Sequence, residues 1–329
     1  MRMIITGGLG FIGQNLVAHL RRRFPGASLW AIDRDPDAQP WELPCYDRIL
    51  RACFADDHVL QFYDQADVVV HLAAETSVQA SVAGPGETFR NNVVKTQKLL
   101  ERLRRFAPRT HFVFASTGGA LAGDGQSDAV DETLLPQPMS PYGASKLAVE
   151  GFLTAYRGSY ELRSATLRFS NVYGPFGLRS HGVIPSFCRM ALTTGRLIVN
   201  GDGAQTRDFV HAEDISEAIA RVIEIRAEGV YQLGTGVATS VLEVAGILRR
   251  SRPELGLRVA HRPGFGAEIR HSLSDITKAR RDLGFTPRHR LDDGIRATLE
   301  WFERNASLQH PWLDDIKGAD QPRRLWAVG

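Results

Sequence analysis

Residues 1–13, MRMIITGGLGFIG, decide the fold of this chain. An apolar run of strand length at 3–6 is followed by Gly7, Gly10 and Gly13 at three-residue spacing. The sequence then continues in a pattern typical of an amphipathic helix. A strand that turns into a helix through glycines lets the backbone approach a pyrophosphate closely and directs the helix N-terminus at its negative charge. The stretch therefore predicts a dinucleotide-binding turn.

The pattern of this first unit repeats along the first half of the chain. Strand-length apolar runs alternate with helix-length amphipathic segments. Strands that are apolar at nearly every position suit a parallel sheet covered on both faces, and the alternation implies βαβ crossovers. The sequence predicts an α/β fold with a doubly wound parallel sheet of the Rossmann type. The predicted strands are 3–6, 28–32, 67–72, 111–116 and 165–170, and the predicted helices are 11–24, 88–106 and 142–158.

The sequence pattern changes after about residue 173, where glycine and proline residues separate shorter segments. We expect a dinucleotide-binding domain at 1–173, with a later segment near 208–248 that returns to it. A smaller α/β substrate-binding part is expected at 174–310, with loops that could close over a ligand. Residues 311–329 have no clear period and are predicted to be a tail.

The composition excludes several classes of protein. The chain has 329 residues, of which 43% are hydrophobic and 23% are charged, so disorder and fibrous structure are excluded. The formal charge is only +3, and the basic run at 20–24 is interpreted as a solvated helix face, so no nucleic-acid partner is predicted. No apolar run approaches membrane-span length, and the three separated cysteines indicate neither a disulfide framework nor a metal site. We expect a cytoplasmic protein.

Asp33 stands at the end of the second predicted strand, 20 residues after Gly13. A carboxylate there can accept hydrogen bonds from ribose hydroxyls and would repel a 2′-phosphate, so NAD is favoured over NADP. Arg34 weakens that preference slightly, and a solvated strand end is the alternative interpretation of Asp33.

Residues 140–146, SPYGASK, place Tyr142 and Lys146 four residues apart behind a serine and a proline that suit a helix start. The two side chains would lie one turn apart on one helix face. Taken alone, the pair could be a chance surface feature.

Several motifs in a fixed order along the chain decide whether this pair is a chance feature. TGGLGFIG, HLAAETSV, FASTGG, SPYGASK, RFSNVYGP and NGDGAQTRDFVHAEDI occur in this order, followed by YQLGTG and RHSLSDITKARRDLGF. From residue 3 to about 302 the chain resembles the extended short-chain dehydrogenase/reductases, in the nucleotide-sugar epimerase/dehydratase branch. The resemblance implies a catalytic role for Tyr142 and Lys146 and a nucleotide-sugar substrate.

In this chemistry Tyr142 removes a hydroxyl proton while the cofactor takes a hydride. A neighbouring ammonium and the positive nicotinamide are expected to favour the phenolate. The resemblance implies that Lys146 also holds the nicotinamide ribose. It further implies that Thr117 completes the catalytic group, with its neighbour Ser116 as the alternative.

The resemblance also supplies the expected binding residues. Those implied for NAD are Gly7, Gly10, Phe11, Ile12, Gly13, Asp33, Leu72, Ala73, Ala74 and Asn92, together with Tyr142 and Lys146. Those implied for the substrate are Ser77, Thr117, Asn171, Val183, Arg207, Arg270 and Ser272. The arginines would suit a diphosphate, since a guanidinium can bind phosphate oxygens in pairs.

The residues after Thr117 bear on the reaction. Dehydratases and decarboxylases that the chain resembles carry an acid there, whereas this chain has Gly118 and Gly119. C4 epimerisation of a UDP-hexose through a 4-keto sugar needs no extra acid and is predicted. A dehydratase or reductase of the same fold and a non-catalytic NAD sensor remain alternatives.

Three further expectations follow from the resemblance. Ser272 aligns with a gatekeeper beside the sugar C2 substituent, and its small side chain predicts tolerance of an N-acetyl group. Ala122 and Cys53 replace a usual tyrosine and a usual adenine-contacting acid. The predicted helices 88–106 and 142–158 match those that pair in dimeric relatives, so a homodimer is expected.

Overall fold

The computed structural model describes residues 1–35, 45–123, 129–264 and 269–305. The strands are β1 (Arg2–Thr6), β2 (Ser28–Asp33), β3 (Arg48–Arg51), β4 (Val68–His71), β5 (His111–Thr117), β6 (Ser164–Phe169), β7 (Asn171–Tyr173), β8 (Arg196–Asn200), β9 (Thr206–His211), β10 (Gly229–Leu233), β11 (Ala238–Ser240), β12 (Arg258–Arg262) and β13 (His271–Ser272). The helices are α1 (Phe11–Arg23), α2 (Asp57–Leu60), α3 (Val78–Ala83), α4 (Pro85–Phe89), α5 (Lys95–Phe106), α6 (Gly119–Ala122), α7 (Pro141–Tyr160), α8 (Val183–Thr193), α9 (Ala212–Ile225), α10 (Val241–Ser251), α11 (Thr277–Leu283) and α12 (Leu291–Asn305). Short 3₁₀ segments lie at Gln61–Gln65 and Pro253–Leu255.

A seven-stranded parallel sheet in the order β10-β6-β5-β4-β1-β2-β3 forms the larger half of the molecule. The strand order reverses between β1 and β4, and in such sheets the crevice beyond the carboxyl ends at that reversal binds ligands. The predicted fold class is confirmed.

Both faces of this sheet are buried, which explains why its strands are apolar throughout. Along β5, Val113 and Ala115 join the cluster that packs on α1 and α9, whereas Phe112 and Phe114 join the cluster that packs on α5 and α7. A strand that is buried on both faces lacks the alternation of apolar and polar residues that a half-exposed strand would have.

A third apolar cluster belongs to the second part of the chain. It joins α8, β8, α10 and α12. The helix α9 and strand β10 return to the large sheet, and α9 contributes to the cluster shared with α1. The helix α10 begins within the predicted returning segment 208–248 but packs in the third cluster. The division of the chain at residue 173 stays a prediction.

The predicted strands and helices of the first half are present with similar bounds, but strand β3 was not predicted and one predicted helix is divided. The predicted helix 88–106 consists of α4, a π-helical turn at Arg90–Val94, and α5. No helix among the described residues is long and apolar enough to cross a bilayer. The predicted tail 311–329 lies outside the described residues.

Candidate functional site

A cleft of about 1410 Å³ opens at the carboxyl ends of β1, β2, β4 and β5 and continues into the second part of the molecule. Of the residues predicted for the site, those that line it are Gly7, Gly10, Phe11, Ile12, Gly13, Asp33, Leu72, Ala73, Ala74, Ser77, Tyr142, Lys146, Asn171 and Val183. The structure therefore brings most of the predicted cofactor residues into one continuous wall.

The glycine turn has no room for side chains. Gly7 has φ of +68°, and a Cβ atom there would lie 2.9 Å from the backbone nitrogen of Ala73. A Cβ on Gly13 would lie 2.4 Å from the carbonyl oxygen of Gly8. Gly10 is the N-cap of α1, and no side chain caps the helix there. The amides of the first turn are therefore left without a capping partner, and they lie at the cleft wall together with the positive end of the helix dipole. This wall fits a pyrophosphate.

Asp33 ends β2 beside that turn. Its carboxylate accepts hydrogen bonds from the backbone N–H of Leu9 (3.0 Å) and of Asp35 (3.2 Å). Burial raises the pKa of Asp33, and the backbone donors oppose that rise. The carboxylate keeps further lone pairs for a ribose hydroxyl. The neighbouring Arg34 forms an ion pair with Glu75 across the cleft wall.

Tyr142 and Lys146 lie one turn apart near the start of α7, as predicted. Ser140 caps this helix by accepting a hydrogen bond from the Gly143 N–H (3.1 Å), and Pro141 occupies its first turn. The Lys146 ammonium donates to the carbonyl of Ala115 (2.7 Å) and lies 6.0 Å from the centre of the Tyr142 ring. Burial lowers the pKa of Lys146 to about 8.

Burial and hydrogen bonding act in opposite directions on the pKa of Tyr142, and the effect expected from the ammonium and the nicotinamide stays a prediction. Burial raises the pKa of Tyr142 to about 12, and a hydrogen bond with Thr117 acts in the opposite direction. Desolvation of the phenolate is the larger of the two effects on this pKa.

Thr117 and Ser116 differ in their partners. Thr117 lies outside the residues that line the cleft but shares a hydrogen bond with Tyr142. The Ser116 hydroxyl donates to the carboxylate of Glu150, which also binds Arg168 (2.7 Å). Ser116 lines the cleft, but its hydroxyl is engaged by Glu150, so the hydrogen bonds favour Thr117 as the partner of the tyrosine.

Asn92 lies outside the cleft lining and instead forms hydrogen bonds with two neighbouring segments of the chain. Its amide accepts a hydrogen bond from the Glu75 N–H (2.8 Å) and donates to the Glu75 carbonyl (3.1 Å). It also donates to Ser145 on α7 (2.9 Å). This buried side chain joins the segment after β4 to the helix that carries Tyr142.

Three predicted substrate residues also lie outside the cleft lining. Arg270 forms a forked pair with Asp202, with both N–O distances at 2.8 Å, and Arg207 donates to the carbonyl of Thr206 (2.8 Å). Ser272 pairs in register with Arg207 between β13 and β9, and its hydroxyl lies 2.6 Å from where a Cβ on Gly119 would be. Strand pairing, which a local motif does not specify, sets these positions.

The cleft has lining residues that the sequence reasoning missed. Arg179, His181 and Arg262 bring cationic or titratable side chains to its second half, and Arg179 forms an ion pair with Asp35. Arg179 lies shortly after the quoted motif RFSNVYGP, so extending that motif would have found it. Arg262 ends β12, and no quoted motif contains it.

The departures noted in the sequence have definite positions. A Cβ on Gly118 would lie 2.7 Å from Oε1 of Gln232, a buried atom without a hydrogen-bond partner among the described residues. Ala122 ends α6 and is buried, whereas Cys53 lines the cleft.

One cluster outside the cleft has metal-ligating atoms close together, at His211, Glu213 and His289. The two imidazole rings are stacked, with centroids 4.2 Å apart and an interplanar angle of 21°. Stacked rings direct their in-plane nitrogens poorly at a shared ion, and His289 already contacts Asp214 (3.0 Å). The prediction that the protein holds no metal stays a prediction.

Comparison with known proteins gives consistent results. Residues 3–234 match the model of the NAD dependent epimerase/dehydratase family. The chain is 33% identical to a putative UDP-glucose 4-epimerase of Methanocaldococcus jannaschii, with 92% of this chain and 99% of that protein covered.

Relatives of both reaction types are found. The chain is 33% identical to a dTDP-glucose 4,6-dehydratase of Streptomyces niveus, with 98% of this chain and 97% of that protein covered. Its structure resembles that of UDP-glucose 4-epimerase from Thermus thermophilus in complex with NAD, with a TM-score of 0.82 and 32% identity over 92% of this chain and 99% of the other.

Proposed function

Because this chain belongs to the NAD-dependent epimerase/dehydratase family, we propose that it inverts C4 of a UDP-hexose or UDP-N-acetylhexosamine through a transient 4-keto sugar. NAD is the cofactor, and when bound it supplies a reversible hydride acceptor. The single observation that carries the proposal is the arrangement of Tyr142, Thr117 and Lys146 at the cleft.

Each of these residues has a definite task in the proposed reaction. The Tyr142 phenolate oxygen takes the proton from the sugar C4 hydroxyl and, as the phenol, later returns it. Thr117 holds that phenol by a hydrogen bond and orients it. The Lys146 ammonium, fixed on the Ala115 carbonyl, favours the phenolate by its charge. The positive end of α1 and the carboxylate of Asp33 bind the pyrophosphate and a ribose of the cofactor.

Epimerisation is favoured over dehydration by the residues after Thr117. Gly118 and Gly119 offer no acid, and Gln232 and Ser272 fill the space that a side chain there would enter. Among the described lining residues, the carboxylates of Asp35 and Glu75 are engaged in ion pairs with arginines. Among the residues that the structure describes, a further proton transfer at C5 and C6 of a sugar therefore has no acid assigned to it beside Tyr142.

The substrate assignment combines the relatives with the cleft. UDP as the nucleotide is proposed because the similar epimerases act on UDP-glucose. We assign the diphosphate to the half of the cleft that contains Arg262. Tolerance of an N-acetyl group was predicted from Ser272, which packs against Gly119 outside the cleft lining, so that tolerance needs a separate test.

A homodimer is also part of the proposal. Large apolar side chains on α4, α7 and the segments beside them are exposed, including Phe89 (55%), Phe106 (56%) and Tyr160 (48%). Pairing of these helices in two copies would remove the apolar surface from water. A cytoplasmic location is proposed because Cys45, Cys53 and Cys188 are all free thiols.

Proton NMR of the purified protein with UDP-glucose, and separately with UDP-N-acetylglucosamine, tests the reaction. No cofactor is added, because a true epimerase regenerates its NAD in every cycle. We expect the signals of the C4 epimer to appear. The Tyr142→Phe variant should bind NAD with unchanged affinity and lose about 10²- to 10⁴-fold in turnover.

The other outcomes identify the alternatives. A keto or unsaturated sugar would indicate a dehydratase and contradict the argument from Gly118 and Gly119. Consumption of added NAD(P)H would indicate a reductase. If neither sugar reacts and the Tyr142→Phe variant keeps every ligand response, the protein is an NAD sensor. Conversion of UDP-glucose alone would remove the N-acetyl prediction and leave epimerisation in place.

A further inference from the structure

A buried ion pair lies directly behind the residues proposed for catalysis. Glu150 on α7 and Arg168 on β6 each have only 7% of their side chains exposed. The Arg168 guanidinium donates to Glu150 with Nη2–Oε2 at 2.7 Å and Nε at 3.2 Å from both oxygens. The same carboxylate accepts the hydroxyl hydrogen of Ser116 on β5. Three elements therefore meet at one carboxylate.

Stability alone does not account for a buried pair of this kind. Removing two charges from water is costly, and apolar residues of similar volume often serve the folded state as well or better. A buried pair that satisfies most of its hydrogen-bonding groups fixes one geometry more strictly than apolar packing does. The geometry that Glu150 fixes is the packing of α7 on β5.

Glu150 continues the row of functional side chains on α7. Tyr142, Lys146 and Glu150 occupy successive turns of one face, and each contacts a different residue in one three-residue stretch of β5. Lys146 donates to the Ala115 carbonyl (2.7 Å), Glu150 accepts from the Ser116 hydroxyl, and Tyr142 shares a hydrogen bond with Thr117. One register of α7 on β5 therefore determines all three contacts.

We propose that Glu150 is a positioning residue whose carboxylate, held by Arg168 and Ser116, sets the register of α7 on β5 and so places Tyr142 and Lys146. This inference rests on the proposed function, in which those two residues carry the proton transfer. Glu150 itself lies outside the cleft lining and does not meet the substrate.

Charge gives the same residue a second effect on Lys146. The titratable groups that interact with Lys146 are Tyr142 and Glu150 on its own helix and His71 on β4, with Arg168 on β6 beyond Glu150. Burial lowers the pKa of Lys146 to about 8, and Glu150 opposes that change. The pKa of His71 is lowered to about 3, so His71 is neutral near pH 7. The Glu150 carboxylate therefore opposes the loss of the Lys146 proton that burial favours.

The Glu150→Gln variant tests the inference, because it keeps the shape and one acceptor but removes the charge. Asp64→Asn is the matched control, since Asp64 also pairs with an arginine, Arg102, but outside the cleft. Turnover, KM, NAD affinity, the unfolding midpoint and the pH profile are measured for both variants and the wild type.

We expect Glu150→Gln to lose roughly tenfold or more in kcat, with KM and NAD affinity changed less than about twofold. The alkaline limb of its pH–activity profile should move to lower pH, because the Lys146 ammonium loses the neighbouring negative charge of Glu150. Glu150→Asp should recover part of the activity. Asp64→Asn should keep wild-type turnover and pH profile. A Glu150→Gln variant that is folded and has wild-type kcat and pH profile would overturn the inference.

A second measurement separates this inference from the proposed function. The phenolate absorbance of the NAD complex is titrated for the wild type, for Glu150→Gln and for each combined with Tyr142→Phe, so that the difference gives the pKa of Tyr142. We expect a changed Tyr142 pKa in Glu150→Gln, because the placement of the phenol against Thr117 and Lys146 changes, whatever reaction the enzyme performs. A wild type without epimerase activity would refute the proposed function, whereas an unchanged Tyr142 pKa in Glu150→Gln would refute the positioning role.

Discussion

Alanine substitution at two helical glycines should change stability in opposite directions. Gly13 lies in the first turn of α1, where an added Cβ would meet backbone atoms of Gly8 at 2.4 and 2.6 Å and of Gly7 at 2.7 Å. Gly246 lies inside α10, where the same atom would meet only the guanidinium of Arg250, at 3.2 Å. A guanidinium at the end of a flexible chain can move aside, whereas the glycine turn cannot move without losing its shape.

The magnitudes follow from these contacts. Glycine to alanine inside a helix stabilises by about 0.5–1 kcal/mol when space is free, and this is the gain expected for Gly246→Ala. Overpacking against a fixed backbone costs roughly 1–3 kcal/mol, which outweighs that gain at Gly13. We expect Gly13→Ala to lose about 1–2 kcal/mol of stability. Movement of the turn away from α1 should weaken NAD binding by about tenfold or more, since each ~1.4 kcal/mol corresponds to a factor of ten.

Urea unfolding and calorimetric NAD titration of both variants measure these effects. Gly246→Ala should have a higher unfolding midpoint and unchanged NAD affinity. The reasoning would be refuted by a Gly13→Ala protein with wild-type midpoint and NAD affinity, because a rigid turn could not then be the cause of the glycine requirement. It would also be refuted if both variants were destabilised equally.

Three more predictions concern the cofactor, acid stability and assembly. Asp33→Asn should bind NAD about tenfold more weakly and discriminate less against NADP, as measured by calorimetry with both cofactors, because the acceptor for the ribose and the charge that repels a 2′-phosphate are removed. Burial lowers the pKa of His71 to about 3 and of His211 to about 4, so between pH 6.5 and these values the unfolded chain binds protons that the folded protein does not. Stability should therefore fall as pH decreases through that window, and urea midpoints that stay constant from about pH 7 to about pH 5 would contradict this. Replacing the exposed Phe89 and Phe152 by glutamate should convert a dimer to a monomer in sedimentation velocity, whereas a wild type that sediments as a monomer would refute the dimer.

The strands of the large sheet could be predicted because burial on both faces leaves a local signature. Three or four consecutive apolar residues, at 3–5, 68–70 and 112–115, indicate strands covered on both faces, and no other element is required to recognise them. The edge strand β3 was missed because its ends, Arg48 and Arg51, are exposed and its identity depends on pairing with β2.

The substrate half of the cleft was harder to predict for the same reason. Arg207 and Ser272 come together through the pairing of β9 with β13, which are about sixty residues apart in sequence. Local motifs give the order of such residues along the sequence but not where each residue lies in the folded protein. The pKa of Tyr142 was beyond sequence reasoning as well, because desolvation depends on how completely neighbouring elements cover the phenol.

The late return of β10 to the large sheet has a consequence for synthesis of the protein. The strand β6 ends at Phe169, and its outer neighbour β10 begins at Gly229. At about 5–20 residues per second, a ribosome needs roughly 3–12 s to make the intervening chain. During that interval β6 is an open edge with unpaired amides and carbonyls, which can template pairing with another nascent chain. Aggregation during translation, rather than loss of catalysis, is therefore the expected defect of variants that slow the docking of β10.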